Sequence, residues 1–267
     1  MRKPQLYGEG GAAFGQCGDE RVPDIPATLD GARVGWVDDY GRTHLVDLAS
    51  NGAPTAWPVR LPAGVYARSA VTGADGLAML QATRTAPGSR GYEGREESGA
   101  GAVLLAQADG TVRIVEELSE LVQVSAAAGG HRFVYNSVES FGDCAHPGPI
   151  WLVDADGKKI KTDTAALGGH DADVFLEDAA WAPDGQLYAT LATSVCDPRG
   201  GAPQVAPSLW RLDGNRWVSA GGGRVDYVRQ YKAGTRMIVT GGVLWLERAG
   251  KRTRVATDVH AAEAPVP

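Results

Sequence analysis

Trp181-Ala-Pro-Asp-Gly185, running directly into Gln186-Leu-Tyr-Ala-Thr-Leu191, is the stretch from which the fold is read. Pro-Asp-Gly is turn chemistry: Pro presets φ, Asp hydrogen-bonds the backbone just ahead, and Gly supplies a positive φ without steric cost. A strand end precedes the turn and a segment with period-two character follows it, so the unit reads as a hairpin.

Working outward, the same unit recurs. Ala74-Asp-Gly76 precedes Leu77-Ala-Met-Leu80, Ala128-Gly-Gly130 precedes His131-Arg-Phe-Val-Tyr135, and Ala233-Gly234 precedes Thr235-Arg-Met-Ile-Val239. A weaker fifth is Leu29-Asp-Gly31 before Ala32-Arg-Val-Gly-Trp-Val37. The turn glycines, 31, 76, 130, 185 and 234, are spaced 45, 54, 55 and 49 residues apart. A second turn follows later in each unit, at Gly52, Gly110, Gly157, Gly214 and Gly250, and another short segment comes after it. Each unit thus holds strands A to D, with tight A–B and C–D turns. A period near 50 with four strands is the signature of a propeller blade. The expectation is an all-β chain: a five-bladed β-propeller with four antiparallel strands per blade. Six blades is the alternative if residues 1–21 add strands to an incomplete one. Residues 22–258 form the propeller domain in this reading, with 1–21 as an N-terminal segment and 259–267 as a flexible tail.

A lone four-stranded blade cannot bury both faces, whereas blades packed around an axis bury each face against a neighbour. Trp151, Trp210 and Trp245 hold equivalent places in strand C of three units and are assigned to packing between sheets rather than to an aromatic ligand cage. The Trp-Ala-Pro-Asp-Gly turn resembles the aromatic-Ser-Pro-Asp-Gly turn of WD40-like and TolB-like propeller repeats. It does so well in one unit and in outline in the others. The Trp-Asp ending and Gly-His pair of true WD40 repeats are absent. The resemblance implies a fold and a binding role and carries over no catalytic residue.

Composition agrees. The chain has 36 Gly and 15 Pro among 267 residues, which suits short strands and tight turns and does not suit helices. Its formal net charge of −6, with no basic stripe, argues against a nucleic-acid partner. No apolar stretch is long enough to span a bilayer as a helix, and Met1-Arg-Lys-Pro-Gln-Leu-Tyr-Gly8 lacks the apolar region of a signal peptide.

In this topology the B–C loops and D–A connections share one face, and three consecutive units place long segments there. These are 85–101 with Tyr92, Arg95 and Glu96; 139–148 with Asp143, Cys144 and His146; and 194–207 with Cys196 and Arg199. His170 and Asp173, in a D–A connection, reach the same face. Long loops on a rigid scaffold are where binding residues concentrate, although tolerated surface insertions have the same look. The expected binding residues are Tyr92, Arg95, Glu96, Asp143, His146, His170, Asp173 and Arg199. A Cys144–Cys196 disulfide would staple two of these loops, at roughly 3–4 kcal/mol in the chain-entropy model. Such a bond implies an oxidising compartment, with Cys17 left over.

Specific chemistries find little support. Cys144-Ala-His146 lacks zinc-site spacing. Asp154-Ala-Asp156-Gly157 opens like a calcium loop, but position twelve is Ala165. No nucleophile elbow, phosphate loop or His-Glu-x-x-His motif occurs. The expectation is therefore a monomeric, non-catalytic binding propeller with no cofactor or metal, taking a protein, peptide or glycan on the loop face. It is read as the extracytoplasmic part of an exported or anchored protein, with the cytoplasm as the alternative. The competing reading is a glycosidase-like hydrolase that pairs Asp171 or Asp173 with Asp226 near the axis.

Overall fold

The computed structural model describes residues 33–37, 41–47, 55–86, 99–141, 144–168, 173–182, 184–194, 205–232 and 235–259. The strands are β1 (Arg33–Val37), β2 (Thr43–Asp47), β3 (Thr55–Ala56), β4 (Tyr66–Thr72), β5 (Ala78–Thr83), β6 (Gly99–Ala106), β7 (Val112–Gly129), β8 (Arg132–Phe141) and β9 (Cys144–Asp154). There follow β10 (Lys159–Lys161), β11 (Asp173–Trp181), β12 (Leu187–Ser194), β13 (Val205–Asp213), β14 (Arg216–Arg224), β15 (Tyr227–Lys232), β16 (Thr235–Thr240), β17 (Val243–Arg248) and β18 (Lys251–Thr257). The only helical segments among the described residues are two single 3-10 turns.

All strand pairs are antiparallel neighbours in chain order. They form sheets β1-β2-β3, β4 through β10, β11-β12-β13-β14 and β15-β16-β17-β18. The seven-stranded sheet is two units joined by one long strand. The first part of β7 pairs with β6, and its second part, from Leu121 to Gly129, pairs with β8. The sequence reading separates these parts into a D strand and an A strand; the backbone runs through without a loop.

Seven of the ten expected turns lie in the described residues and are where the glycine pattern puts them, while Gly31, Gly52 and Gly234 lie outside those residues. Gly76, Gly130 and Gly185 close A–B hairpins, and Gly110, Gly157, Gly214 and Gly250 close C–D hairpins, all at positive φ. Gly110 shows why: at φ +83° its Cβ would lie 1.8 Å from the Pro58 carbonyl oxygen, and its own carbonyl accepts from Arg60 N at 2.7 Å. Asp184 Oδ1 accepts from Gln186 N at 3.0 Å, closing the Pro-Asp-Gly turn by the anticipated side-chain bond.

Both faces of the middle sheets are apolar, and each face belongs to a different layer. On β5, Ala78 and Leu80 pack toward Val37 and Trp57, while Met79 and the preceding Leu77 pack with Phe133, Tyr135 and Val153. On β8, Val134 turns the other way and joins Leu176, Trp181, Leu187, Leu191 and Trp217. Leu209 and Val225 meet Val228 and Ile238 in a fourth layer. Trp151, Trp210 and Trp245 are half-buried against three of these layers, as their shared strand position anticipates.

Adjacent four-strand units are also latched at the short-turn end. Ala74 N donates to Gly130 O at 2.8 Å, Gln107 Nε2 to Ala155 O at 3.0 Å, and Arg132 Nη2 to Gly185 O at 3.3 Å. The Arg132 guanidinium covers the Trp181 ring at 4.4 Å.

Candidate functional site

The opposite end carries the long connections, and here two of the expected residues meet. β8 and β9 form a hairpin whose ladder slips at Ser137, opposite Gly148-Pro149, where proline removes a backbone donor. Beyond the slip, pairing resumes at Val138↔Pro147, Glu139↔His146, Ser140↔Ala145 and Phe141↔Cys144. The segment read as a B–C loop over 139–148 is therefore strand almost to its tip. The β-branched and aromatic residues Val138 and Phe141 favour an extended backbone that the polar composition conceals.

This hairpin brings His146 Nδ1 to 3.2 Å from Asp173 Oδ2, at the first residue of β11 in the next sheet. The side chains are 39% and 26% exposed, so the pair sits at the surface and open to solvent. Glu139, directly opposite His146 in the ladder, accepts from Ser119 Oγ at 3.4 Å. Four strands, β7, β8, β9 and β11, thus contribute an imidazole, two carboxylates and a hydroxyl to one rim. Such groups offer both donors and acceptors to a polar ligand.

Of the other expected residues, Tyr92, Arg95, Glu96, Asp143, His170 and Arg199 lie outside the described residues, as do Asp171, Cys17 and Cys196. The Cys144 backbone opens β9. Asp226, put forward as a carboxylate partner for Asp173, stands just before β15 at the same end. It is engaged locally, accepting from Arg224 Nε at 2.5 Å and Gly241 N at 2.6 Å. Among the described residues no group of three or more His, Cys, Asp and Glu side chains is arranged to hold a metal, and no helix is long and apolar enough to cross a membrane.

Sequence reasoning missed the polar groups along β11. Asp178 is buried and binds Arg229 Nη1 at 2.8 and 2.7 Å, as well as accepting from Val228 N at 3.2 Å. Arg229 in turn lies over the Tyr227 ring at 3.9 Å. On the other flank, buried Asn136 donates Nδ2 to Gly148 O at 2.6 Å and accepts from Leu176 N at 3.3 Å. Between these anchors the β11–β12 ladder skips Glu177. Burial pushes the Glu177 carboxyl above its ordinary range, with no opposing charge or hydrogen bond among the described residues to hold it down. The signal was present as a Glu-Asp dipeptide interrupting an otherwise apolar strand.

A further polar cluster is structural. Tyr135 Oη donates to Glu116 Oε2 at 2.7 Å, and Lys159 Nζ approaches both, at 3.3 Å from Tyr135 Oη and 3.5 Å from Glu116 Oε1. Burial, then the Glu116 bond and charge, push the tyrosine strongly up, so it stays a neutral donor. Lys159 also caps the Trp151 ring at 4.3 Å, tying β7, β8, β9 and β10 together.

No family model matches the chain, and no curated protein does. Solved structures do. An oligogalacturonate lyase from Vibrio parahaemolyticus superposes with a TM-score of 0.55 at 10% identity, over 94% of this chain and 67% of that one. Porphyromonas gingivalis dipeptidyl peptidase 4 gives 0.52 at 9% identity, over 87% of this chain and 39% of that one. The Pyrococcus horikoshii acylaminoacyl peptidase gives 0.51 at 12% identity, over 87% and 38%. The chain therefore spans less than two fifths of either peptidase. At such identities the likeness is one of fold, and with the sheet arrangement it makes the chain a β-propeller.

Proposed function

We propose that this chain is a five-bladed propeller that binds a glycan on the rim where His146 meets Asp173. The blades are β1–β3, β4 to the first part of β7, the rest of β7 to β10, β11–β14 and β15–β18. The observation that carries the binding reading is the 3.2 Å approach of His146 and Asp173, which come from two different sheets. Side chains brought together across separate elements, at the end where the connections are long, mark a site rather than a turn. Glycans suit a rim of carboxylates, imidazole and hydroxyl because every sugar hydroxyl both donates and accepts. Of the three likenesses described above, the oligogalacturonate lyase is the one of which more than half is covered, 67% against 39% and 38% for the peptidases, which supports a saccharide over a peptide.

Binding of an oligogalacturonide to the full chain, followed by titration calorimetry, tests this. His146→Ala and Asp173→Asn should each weaken binding by about tenfold, the loss of one charge-assisted hydrogen bond. Unchanged affinity in both variants would remove the rim from the site, and no binding of this or any neutral oligosaccharide would remove the glycan.

A second reading is cleavage of the glycan, which the fold likeness to an oligogalacturonate lyase supports. Incubation with the oligogalacturonide separates the chemistries. Elimination leaves a conjugated double bond seen in ultraviolet absorbance, hydrolysis raises reducing ends alone, and an intact substrate leaves the binding reading.

A further inference from the structure

The hairpin that closes the last sheet carries charge in a way that folding does not require. Residues 205–258 hold ten Lys and Arg against four Asp and Glu, in a chain whose net charge is −6. Four of those cations, Arg248, Lys251, Arg252 and Arg254, fall within seven residues around the β17–β18 turn. On one face the hairpin neutralises its charge: Glu247 is buried and accepts from Arg252 Nε at 2.9 Å and Arg236 Nε at 2.7 Å. On the other face Arg248 stands directly opposite Lys251. Both are exposed, and neither side chain has a carboxylate partner among the described residues. Like charges facing each other across a ladder destabilise it.

The turn between them departs from its counterparts. Asp precedes the glycine in the corresponding C–D turns, at Asp109-Gly110, Asp156-Gly157 and Asp213-Gly214, whereas this one is Ala249-Gly250. Ala249 lies at φ +48°, a left-handed conformation that alanine rarely takes and that Asn or Asp takes more readily. The alanine thus leaves the turn without the carboxylate that would stand beside Arg248 and Lys251. Next to this pair, Leu246 faces Thr253 on the same side of the hairpin, and the four residues line an open groove of about 280 Å³. Edge cations ordinarily ward off strand pairing. That role calls for neither an uncompensated pair of them nor an apolar floor beside it.

We propose that this groove is a second binding site, which takes a carboxylate of an acidic oligosaccharide between Arg248 and Lys251. The two cations donate charge-assisted hydrogen bonds to the carboxylate oxygens, the Thr253 hydroxyl serves a neighbouring sugar hydroxyl, and Leu246 covers the carbon face of the ring. An acidic ligand meets its charge complement here. The rim at His146, where Glu139 and Asp173 stand, offers acceptors to hydroxyls, so the two places read different groups of one kind of ligand. That the carboxylate comes from a saccharide rests on the function proposed above; the anion site rests on the hairpin alone.

Titration calorimetry of the full chain at low salt, with a short oligogalacturonide, tests this. With both sites in place the parent takes two equivalents. Arg248→Gln and Lys251→Gln should each weaken one of them by about tenfold or more, the worth of a charge-assisted hydrogen bond, and the double variant should take one equivalent. Arg248→Lys, which keeps the charge, should retain the site, and His146→Ala should leave it unchanged. A neutral oligosaccharide of the same length should bind the parent and the double variant alike. If the rim fails and the groove holds, the parent takes one equivalent and the double variant none. A double variant that binds the oligogalacturonide like the parent overturns the proposal, as does a parent that binds none. A glutamate hexapeptide held at the groove more tightly than the oligogalacturonide would assign it to an acidic protein partner and overturn the saccharide.

Discussion

Gly129→Ala is the sharpest test of how the sheets pack. Gly129 ends β7 against the flat face of Trp181, and a Cβ there would lie 2.2 Å from Cγ, 2.3 Å from Cδ2 and 2.5 Å from Cδ1 of the indole. Carbon atoms pack at about 3.5–4.0 Å, so ring and strand must separate by more than about 1 Å. The ring has nowhere to go: it is 6% exposed, belongs to the layer around Leu187 and Trp217, and is covered by Arg132. Overpacking costs about 1–3 kcal/mol, and a contact that requires backbone movement belongs at the upper end, about 3 kcal/mol. At about 2–4 °C per kcal/mol for a domain of this size, calorimetry should show Tm lower by about 6–12 °C. Guanidinium denaturation should show a lower midpoint with an unchanged slope. Trp181→Leu removes the obstacle, so adding Gly129→Ala to that variant should cost much less than it does alone. A Gly129→Ala protein within about 0.5 kcal/mol of the parent, or costs that simply add, would refute this packing.

Asp178→Ala leaves Arg229 partly buried without its carboxylate and frees the Val228 N–H; a loss of about 3–5 kcal/mol is expected in chemical denaturation, and Asp178→Leu with Arg229→Met should recover much of it. Glu177→Gln should be pH-dependent in a defined sense. The folded carboxyl binds its proton more tightly than the unfolded one, so the parent loses stability as pH rises from the ordinary glutamate range through the raised folded value. The variant should escape that loss and be the more stable protein at pH 8 but not at pH 4, and an equal difference at both would show no raised carboxyl. Intact mass with thiol alkylation of protein matured in its own compartment should find Cys144 linked to Cys196 and one free thiol. Three free thiols would place the protein in a reducing compartment and remove the export reading.

The legible part of the fold was its punctuation. Glycine at positive φ is dictated by local sterics, so the hairpin ends at Gly76, Gly110, Gly157 and Gly185 could be found from composition and spacing alone. Apolar strands following each turn then implied sheets buried on both faces, as the split of β5 and β8 between layers bears out. The β8–β9 tip was misjudged because polar residues at an extended edge look like loop; whether they continue the ladder depends on the facing strand of the same hairpin. The candidate site was half legible. His146 and Asp173 were named separately, from two connections, and nothing in their spacing joined them.

What the sequence alone determined about this protein is thus local: which residues turn, which extend, and that the extended ones need cover on both sides. Tertiary structure decided what those segments meet. The approach of His146 to Asp173, the clamp of Asp178 on Arg229 and Val228, and the bulge that strands Glu177 all join different strands or sheets. Their partners lie up to 51 residues apart in the chain, where contact is set by how twisted sheets pack and not by any preference of the residues themselves.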